Sequence, residues 1–206
     1  IDEQPWERQS VTVEIIPDCP EELTIIRANR LFIPVVSLPS KLVSCIRRIA
    51  SFSNPEFFKK QALRFSTYDT PRFISLARIE GDYLSIPRGC EDDLIDLLQS
   101  QNIKPHFDVK TVKGKRLTKI KMTTRLRKEQ TKAVNKIIKH DIGVLHAPTA
   151  FGKTVTAIGI IAKRKTNTLV LVHNKQLIDQ WRERINTFTT GIQCGVHTGA
   201  KKSVSN

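Results

Sequence analysis

The residues best equipped for chemistry form one short run, Ala147-Pro148-Thr149-Ala150-Phe151-Gly152-Lys153-Thr154. A glycine, a lysine and a hydroxyl residue in that order, set between an apolar run and an amphipathic stretch, suit a loop that wraps polyphosphate. In such a loop the backbone N–H groups and the N-terminus of the next helix face the phosphates, so position 152 must carry no bulky side chain. Lys153 is then placed to bridge the β- and γ-phosphates, and the Thr154 hydroxyl to bind Mg²⁺. ATP and Mg²⁺ are the expected ligands, with Pro148, Thr149, Ala150, Phe151, Gly152, Lys153 and Thr154 as contacts and Lys153 and Thr154 as the catalytic pair. The strict motif has glycine where Ala147 stands. A bare strand-to-helix turn that happens to read Gly-Lys-Thr is the competing reading, and the flanking elements argue against it.

Those flanks are legible as periodicity. The apolar run Ile142 to His146 reads as a buried strand before the loop, and Val155, Ile158, Ile160 and Ile161 mark an amphipathic helix after it. A helix over Lys128 to Lys139 precedes them. A β-branched strand, Thr168 to Val172, and a helix over Lys175 to Phe188 follow. The order strand, loop, helix, strand, helix predicts a parallel sheet with right-handed crossovers, the start of a RecA-like domain of the α/β class.

Charge divides the chain. Of 34 basic and 20 acidic residues, residues 1–100 hold 12 and 15, and residues 101–206 hold 22 and 5. An excess confined to one half fits a surface that meets polyphosphate, since each neutralised phosphate releases counterions. The four cysteines, Cys19, Cys45, Cys90 and Cys194, lie far apart with no Cys-x-x-Cys pair, which argues against a zinc site or a disulfide framework. With no bilayer-length apolar run and no secretory leader, a cytoplasmic setting without a membrane partner is expected. The start at Ile1 suggests a piece of a longer chain.

Residues 1–22, interrupted by Pro5, Pro17 and Pro20, read as a linker from an upstream region with a short strand over Val11 to Ile16. Residues 23–112 read as a small α+β domain. Its expected elements are a strand at Leu31 to Val36, a helix near Pro39 capped by Ser37, and a helix from Asn54-Pro55 carrying Phe57, Phe58 and Leu63. A hairpin of Phe73 to Ala77 and Tyr83 to Ile86, a helix over Cys90 to Gln101 and a strand near Pro105 to Val109 complete it. The basic stretch Lys110 to Lys121, with Lys113, Lys115 and Arg116, either tracks a DNA backbone or links two domains; Arg88 and Gly89 form either a DNA contact or a tight turn.

The segment Leu126-Arg127-Lys128-Glu129-Gln130 resembles the Q motif of superfamily 2 DEAD/DEAH helicases, with Lys128 in place of the usual proline. The resemblance implies that Gln130, beside Arg127, reads the adenine edge. The same helicases commonly begin the phosphate loop with alanine, as at Ala147, and accept alanine at position 150. Leu169 to Trp181 resembles their motif Ia, which implies that His173, Asn174, Lys175 and Gln176 meet the nucleic-acid backbone. Relatives often have arginine at position 174, and Asn174 also suits a helix N-cap. In the front half, Asn29 to Pro34, Asn54 to Phe57 and Ile86 to Cys90 resemble the small domain preceding the motor in bacterial helicases of mobile-element conflict systems. Their motor is similar to the type III restriction subunit and to excision-repair helicases, and they often carry a primase-like domain upstream.

The resemblance thus implies an ATP-dependent DNA helicase or translocase: residues 23–112 as a DNA-engaging accessory domain and 113–206 as the N-terminal half of the first RecA-like domain. Single-stranded or duplex DNA, a second RecA-like domain and an upstream primase-like domain are the implied partners. Hydrolysis also needs a carboxylate on another strand and an arginine finger. The acids after Thr154 are Asp179 and Glu183 alone, so this stretch is expected to bind nucleotide without turning it over. The alternative is a nucleic-acid-binding module without motor activity.

Overall fold

The computed structural model describes residues 14–199 and the backbone of 202–203. The chain divides into two compact units between Val112 and Lys113.

The first unit is built around a five-stranded sheet. Its strands are β1 (Glu22–Arg27), β2 (Leu31–Pro34), β5 (Arg78–Glu80), β6 (Tyr83–Ile86) and β7 (Lys104–Val109), and between them lie α1 (Ser40–Ile49), β3 (Ser51–Ser53), α2 (Pro55–Ala62), β4 (Phe73–Ser75) and α3 (Glu91–Ser100). The strand order is β5-β6-β2-β1-β7. Only β1 and β7 run parallel in this sheet, joined over the full length of both strands.

Alternation along each strand sends Leu23, Ile25, Leu31, Ile33, Leu84 and Ile86 to one face, where Leu42 and Ile46 of α1 and Leu94 and Leu98 of α3 cover them. That face is the core. At its margin Arg27 pairs with Glu91 in the first turn of α3 and lies 4.5 Å over the Phe107 ring. On the opposite face Glu22 meets His106 Nε2 at 3.2 Å and Lys104 Nζ at 3.4 Å. The hydrogen bonds from these two groups, His106 first, hold the Glu22 carboxyl below the usual carboxylate range.

Several elements differ from the sequence reading. Val11 to Val13 lie outside the described residues, and Glu14 to Ile16 form no strand. Ile16 is buried in the core and its N–H donates to Gln101 Oε1 at 2.8 Å, so the expected linker is anchored from Ile16 onward and β1 begins at its end. Helix α1 has Pro39, not Ser37, at its N-cap. Strand β4 leaves the expected hairpin to pair with β3, and the hairpin is closed by β5 and β6 around Gly81 at φ +59. Two turn residues suffice there because glycine tolerates the left-handed region.

The second unit contains β8 (Lys121–Met122), α4 (Lys128–Ile137), α5 (Lys153–Arg164), α6 (Lys175–Phe188), β9 (Thr189–Thr190), β10 (Val196–His197) and β11 (Lys202–Ser203). Its buried apolar residues are Ile120, Val134, Ile158 and Ile185. Gly159 lets α4 and α5 approach, since a Cβ there would lie 2.7 Å from Leu126 Cδ1 and 3.4 Å from Val134 Cγ2.

The segments Ile142 to His146 and Thr168 to Val172, expected as parallel strands, are not strands among the described residues. Val144, Leu169 and Leu171 are 93%, 79% and 83% exposed. Such runs form strands only between neighbours that supply ladder bonds and cover both faces; here the described residues supply none. The mixed α/β class stands, with the one parallel strand pair of the described residues lying in the first unit.

The basic stretch is stitched into the second unit. Leu117 N–H donates to Lys165 O at 2.8 Å, Asn167 N–H to Lys115 O at 2.9 Å, and Arg116 forms a bridge with Thr166. Further on, β8 pairs antiparallel with β9. From Lys115 onward this segment is therefore not a free linker, while the side chains of Lys113, Lys115 and Arg116 remain exposed.

Candidate nucleotide-binding site

Helix α5 starts at Lys153 because Gly152 takes φ +85 and ψ +46, the left-handed conformation, and turns the loop into the helix. Glycine has no side chain to cap the first-turn N–H groups of Lys153, Thr154 and Val155, which leaves a helix N-terminus open to an anion. Ala150 is also left-handed, at φ +63. Two such residues two apart bend the backbone sharply between Pro148 and Lys153, and Phe151 N–H donates back to Pro148 O at 3.4 Å.

The segment preceding α4 locks this bend. Gln130 is buried; its Oε1 accepts from Arg127 N–H at 3.0 Å and its Nε2 donates to Phe151 O at 2.9 Å. The first bond is half of a capping box for α4, which Arg127, lacking any acceptor, does not reciprocate. The Arg127 guanidinium donates instead to Ala150 O at 3.2 Å and to Phe151 O. Two residues 20 or more positions upstream thus hold two carbonyls of the loop. On its other side Lys153 Nζ donates to Ala147 O at 2.5 Å and Pro148 O at 3.3 Å, so its charge lies against the loop carbonyls at an exposed position.

The cradle is sized for glycine. A Cβ at position 152 would lie 2.6 Å from Gln130 Nε2 and 3.4 Å from an Arg127 guanidinium nitrogen. Gly152→Ala is therefore expected to destabilise the second unit by about 2–3 kcal/mol, from the left-handed backbone at about 1–2 and the displaced Gln130 bond at about 1. Thermal melts followed by Trp181 fluorescence, in a Trp6→Phe background, would show a lowered midpoint. An unchanged melt would mean that the loop does not hold this conformation.

The structure brings Arg127 and Gln130 together with Ala150, Phe151 and Gly152, and Lys153 with Ala147 and Pro148. Thr149 is exposed and Thr154 half-buried at the start of α5. The other predicted contacts lie elsewhere in the unit. Asn174 is the N-cap of α6, its Oδ1 accepting from Leu177 N–H at 2.9 Å. His173, Lys175 and Gln176 beside it are exposed, and no hydrogen bond among the described residues ties them to the phosphate loop. Asp179 and Glu183 are exposed on α6, so neither serves as the second-strand carboxylate. Sequence reasoning missed what Arg127 does: its guanidinium props the loop backbone. The Arg-x-x-Gln spacing before α4 was the available signal, because it places both groups at one helix start.

Residues 123–206 match the family model described as Type III restriction enzyme, res subunit. The chain is 41% identical over 81 residues to the putative DNA 3'-5' helicase Rad25 of Halobacterium salinarum, a match covering 38% of this chain and 14% of that protein. It is 41% identical over 69 residues to the DNA 3'-5' translocase XPB2 of Sulfurisphaera tokodaii, covering 34% of this chain and 16% of that one. The DNA 3'-5' helicase XPB of Kineococcus radiotolerans is 33% identical over 81 residues, with 38% and 14% covered. The chain thus spans less than a fifth of the length of these relatives. With the mixed α/β class, the family match agrees with a partial RecA-like domain. Among the described residues no helix is long and apolar enough to cross a membrane, and no group of His, Cys, Asp and Glu could hold a metal ion.

Proposed function

We propose that this chain is the nucleotide-binding front of an ATP-driven DNA helicase or translocase, with Mg-ATP held by the loop Pro148 to Thr154. The observation that carries the reading is the Gln130 and Arg127 clasp on the loop carbonyls, since it joins a base-reading segment to a phosphate-reading one across α4 and α5. Gly152 supplies the cradle, Lys153 the charge that exchanges carbonyls for β- and γ-phosphate oxygens, and Thr154 the Mg²⁺ ligand. ATP, when bound, supplies the free energy of phosphoryl transfer.

DNA is the partner that the names of the relatives support, and the basic second half suits it electrostatically. Lys113, Lys115 and Arg116 on one segment and His173 to Gln176 at the start of α6 are the proposed backbone contacts. The first unit is proposed as the accessory domain of a conflict-system helicase, on the strength of its resemblance in the Asn29, Asn54 and Ile86 segments. Because Asp179 and Glu183 are the acids available after the loop, residues 1–206 are proposed to bind Mg-ATP without hydrolysing it.

The test is ATP hydrolysis by a chain extended through the remainder of the motor, with and without single-stranded and duplex DNA. Stimulation by DNA is the expected outcome. Nucleotide-independent DNA binding with no stimulated turnover, in a folded extended protein, would replace the motor with a binding module.

A further inference from the structure

The first unit carries a surface that its own fold does not use. Helix α2 buries none of its residues, although Phe57, Phe58 and the following Leu63 look like core. The β3–α2–β4 segment is held instead by polar clamps. Asn54, 7% exposed, accepts from Glu56 N–H at 3.0 Å and donates to Pro71 O at 2.8 Å, while its own N–H donates to Arg72 O at 2.9 Å. Thr70, equally buried, accepts from Lys60 Nζ at 2.7 Å. These bonds fix the segment, and of the two α2 rings Phe57 is half-buried and meets Phe58 edge-on at 5.5 Å. Phe58 and Phe73 are both exposed, and the Arg72 guanidinium lies over both, 5.9 and 5.7 Å from their centroids. Phe65 and Tyr68, in the loop between α2 and β4, are more exposed still.

Charge here runs against that of the rest of the front half. Residues 41–78 hold eight basic side chains and two acids, Glu56 and Asp69, whereas the other residues of 1–100 hold 4 basic and 13 acidic. Lys60 pairs with Glu56 at 3.1 Å. Among the described residues no carboxylate pairs with Arg47, Arg48, Lys59 or Arg64, all exposed. Exposed rings, an arginine lying over two of them and unpaired cations on α1, on α2 and in the loop after α2 match what a polynucleotide with unstacked bases offers: π-faces and phosphates. A duplex hides its π-faces in the stack. We infer that the β3–α2–β4 surface binds single-stranded polynucleotide, with bases stacking on Phe58, Phe73 and the Phe65–Tyr68 loop and phosphates meeting Arg47, Arg48 and Lys59. This deepens the accessory-domain reading and rests on it for the partner class, yet it needs no nucleotide.

The experiment is fluorescence anisotropy of labelled oligothymidylate, oligouridylate and a duplex of the same length, titrated with the 206-residue chain without nucleotide. Phe58→Ala and Phe73→Ala are each expected to weaken binding of single strands about tenfold, with Phe58→Tyr and Phe73→Tyr near wild type and duplex binding little changed. Tyr68→Ala, at a side chain 95% exposed and so without cost to folding, should weaken it in the same direction. The two single strands decide between DNA and RNA as the source of the bases. The titration contains no nucleotide, so its failure would touch this surface and leave the phosphate loop standing. Aromatic variants that bind like wild type would overturn the proposal, as would wild-type chain that ignores single strands. So would a Phe58→Ala effect confined to self-association by sedimentation or to binding of anionic vesicles.

Discussion

Lys153→Ala is expected to lower the affinity of the chain for Mg-ATP about 10- to 100-fold and to leave its thermal midpoint almost unmoved. The first half follows from charge. Hydrogen bonds to a charged group are worth about 1.5–3 kcal/mol each, and about 1.4 kcal/mol is tenfold in affinity. Lys153 has partners within the loop, Ala147 O and Pro148 O, so binding exchanges carbonyl dipoles for phosphate charge and the net gain sits within that range. The second half follows from position. Lys153 is exposed in the first turn of α5, where a cation opposes the helix dipole by a few tenths of a kcal/mol. Its removal relieves that repulsion while freeing two carbonyls that water can reach. Displacement of a fluorescent ATP analogue, read beside a thermal melt, checks both halves. If Lys153→Ala bound Mg-ATP like wild type, the phosphate loop would not be the nucleotide site.

The site was legible because its information is local. Gly152, Lys153 and Thr154 are consecutive, and Arg127 and Gln130 share one turn of α4, so spacing alone places each group to within a helical turn. The helices α3, α4, α5 and α6 were legible for the same reason, their apolar residues recurring at helical intervals. Pairing is different, because it belongs to partners. Ile142 to His146 and Thr168 to Val172 have strand-like composition, yet without neighbours they form no strand, and Val144, Leu169 and Leu171 stay exposed. Strand β1 was hidden in an acidic, proline-flanked segment, and its parallel partner β7 lies some 80 residues on. The bonds from Lys115 and Leu117 to Asn167 and Lys165 span about 50 residues, so the basic stretch looked like a linker. Phe57, Phe58 and Leu63 misled in the opposite sense: their type suggested core, whereas buried Asn54 and Thr70 hold the segment, with Phe57 half-buried and Phe58 and Leu63 exposed.

Leu98→Ala is expected to destabilise the first unit by about 2–5 kcal/mol, the usual range for truncating a fully buried leucine and leaving a cavity. Leu98 is 0% exposed on α3, within a contiguous core that also contains Ile25, Ile33, Leu84 and Leu94. Against a total domain stability of about 5–15 kcal/mol, such a loss is a large fraction, and for a unit of this size each kcal/mol lowers the midpoint by about 4–8 °C. The chain carries its own reporters. Its two tyrosines, Tyr68 and Tyr83, belong to the first unit and Trp181 to the second, so tyrosine and tryptophan signals, with Trp6→Phe, follow the two units separately. Among the described residues the second unit buries Ile120, Val134, Ile158 and Ile185, and none of them belongs to the core that Leu98 supports. The tyrosine transition should therefore move down by many degrees while the Trp181 transition and Lys153-dependent nucleotide binding stay in place. A Trp181 transition that falls together with the tyrosine one would mean that the two units unfold as a single cooperative body, and that a cavity in the first also opens the phosphate loop.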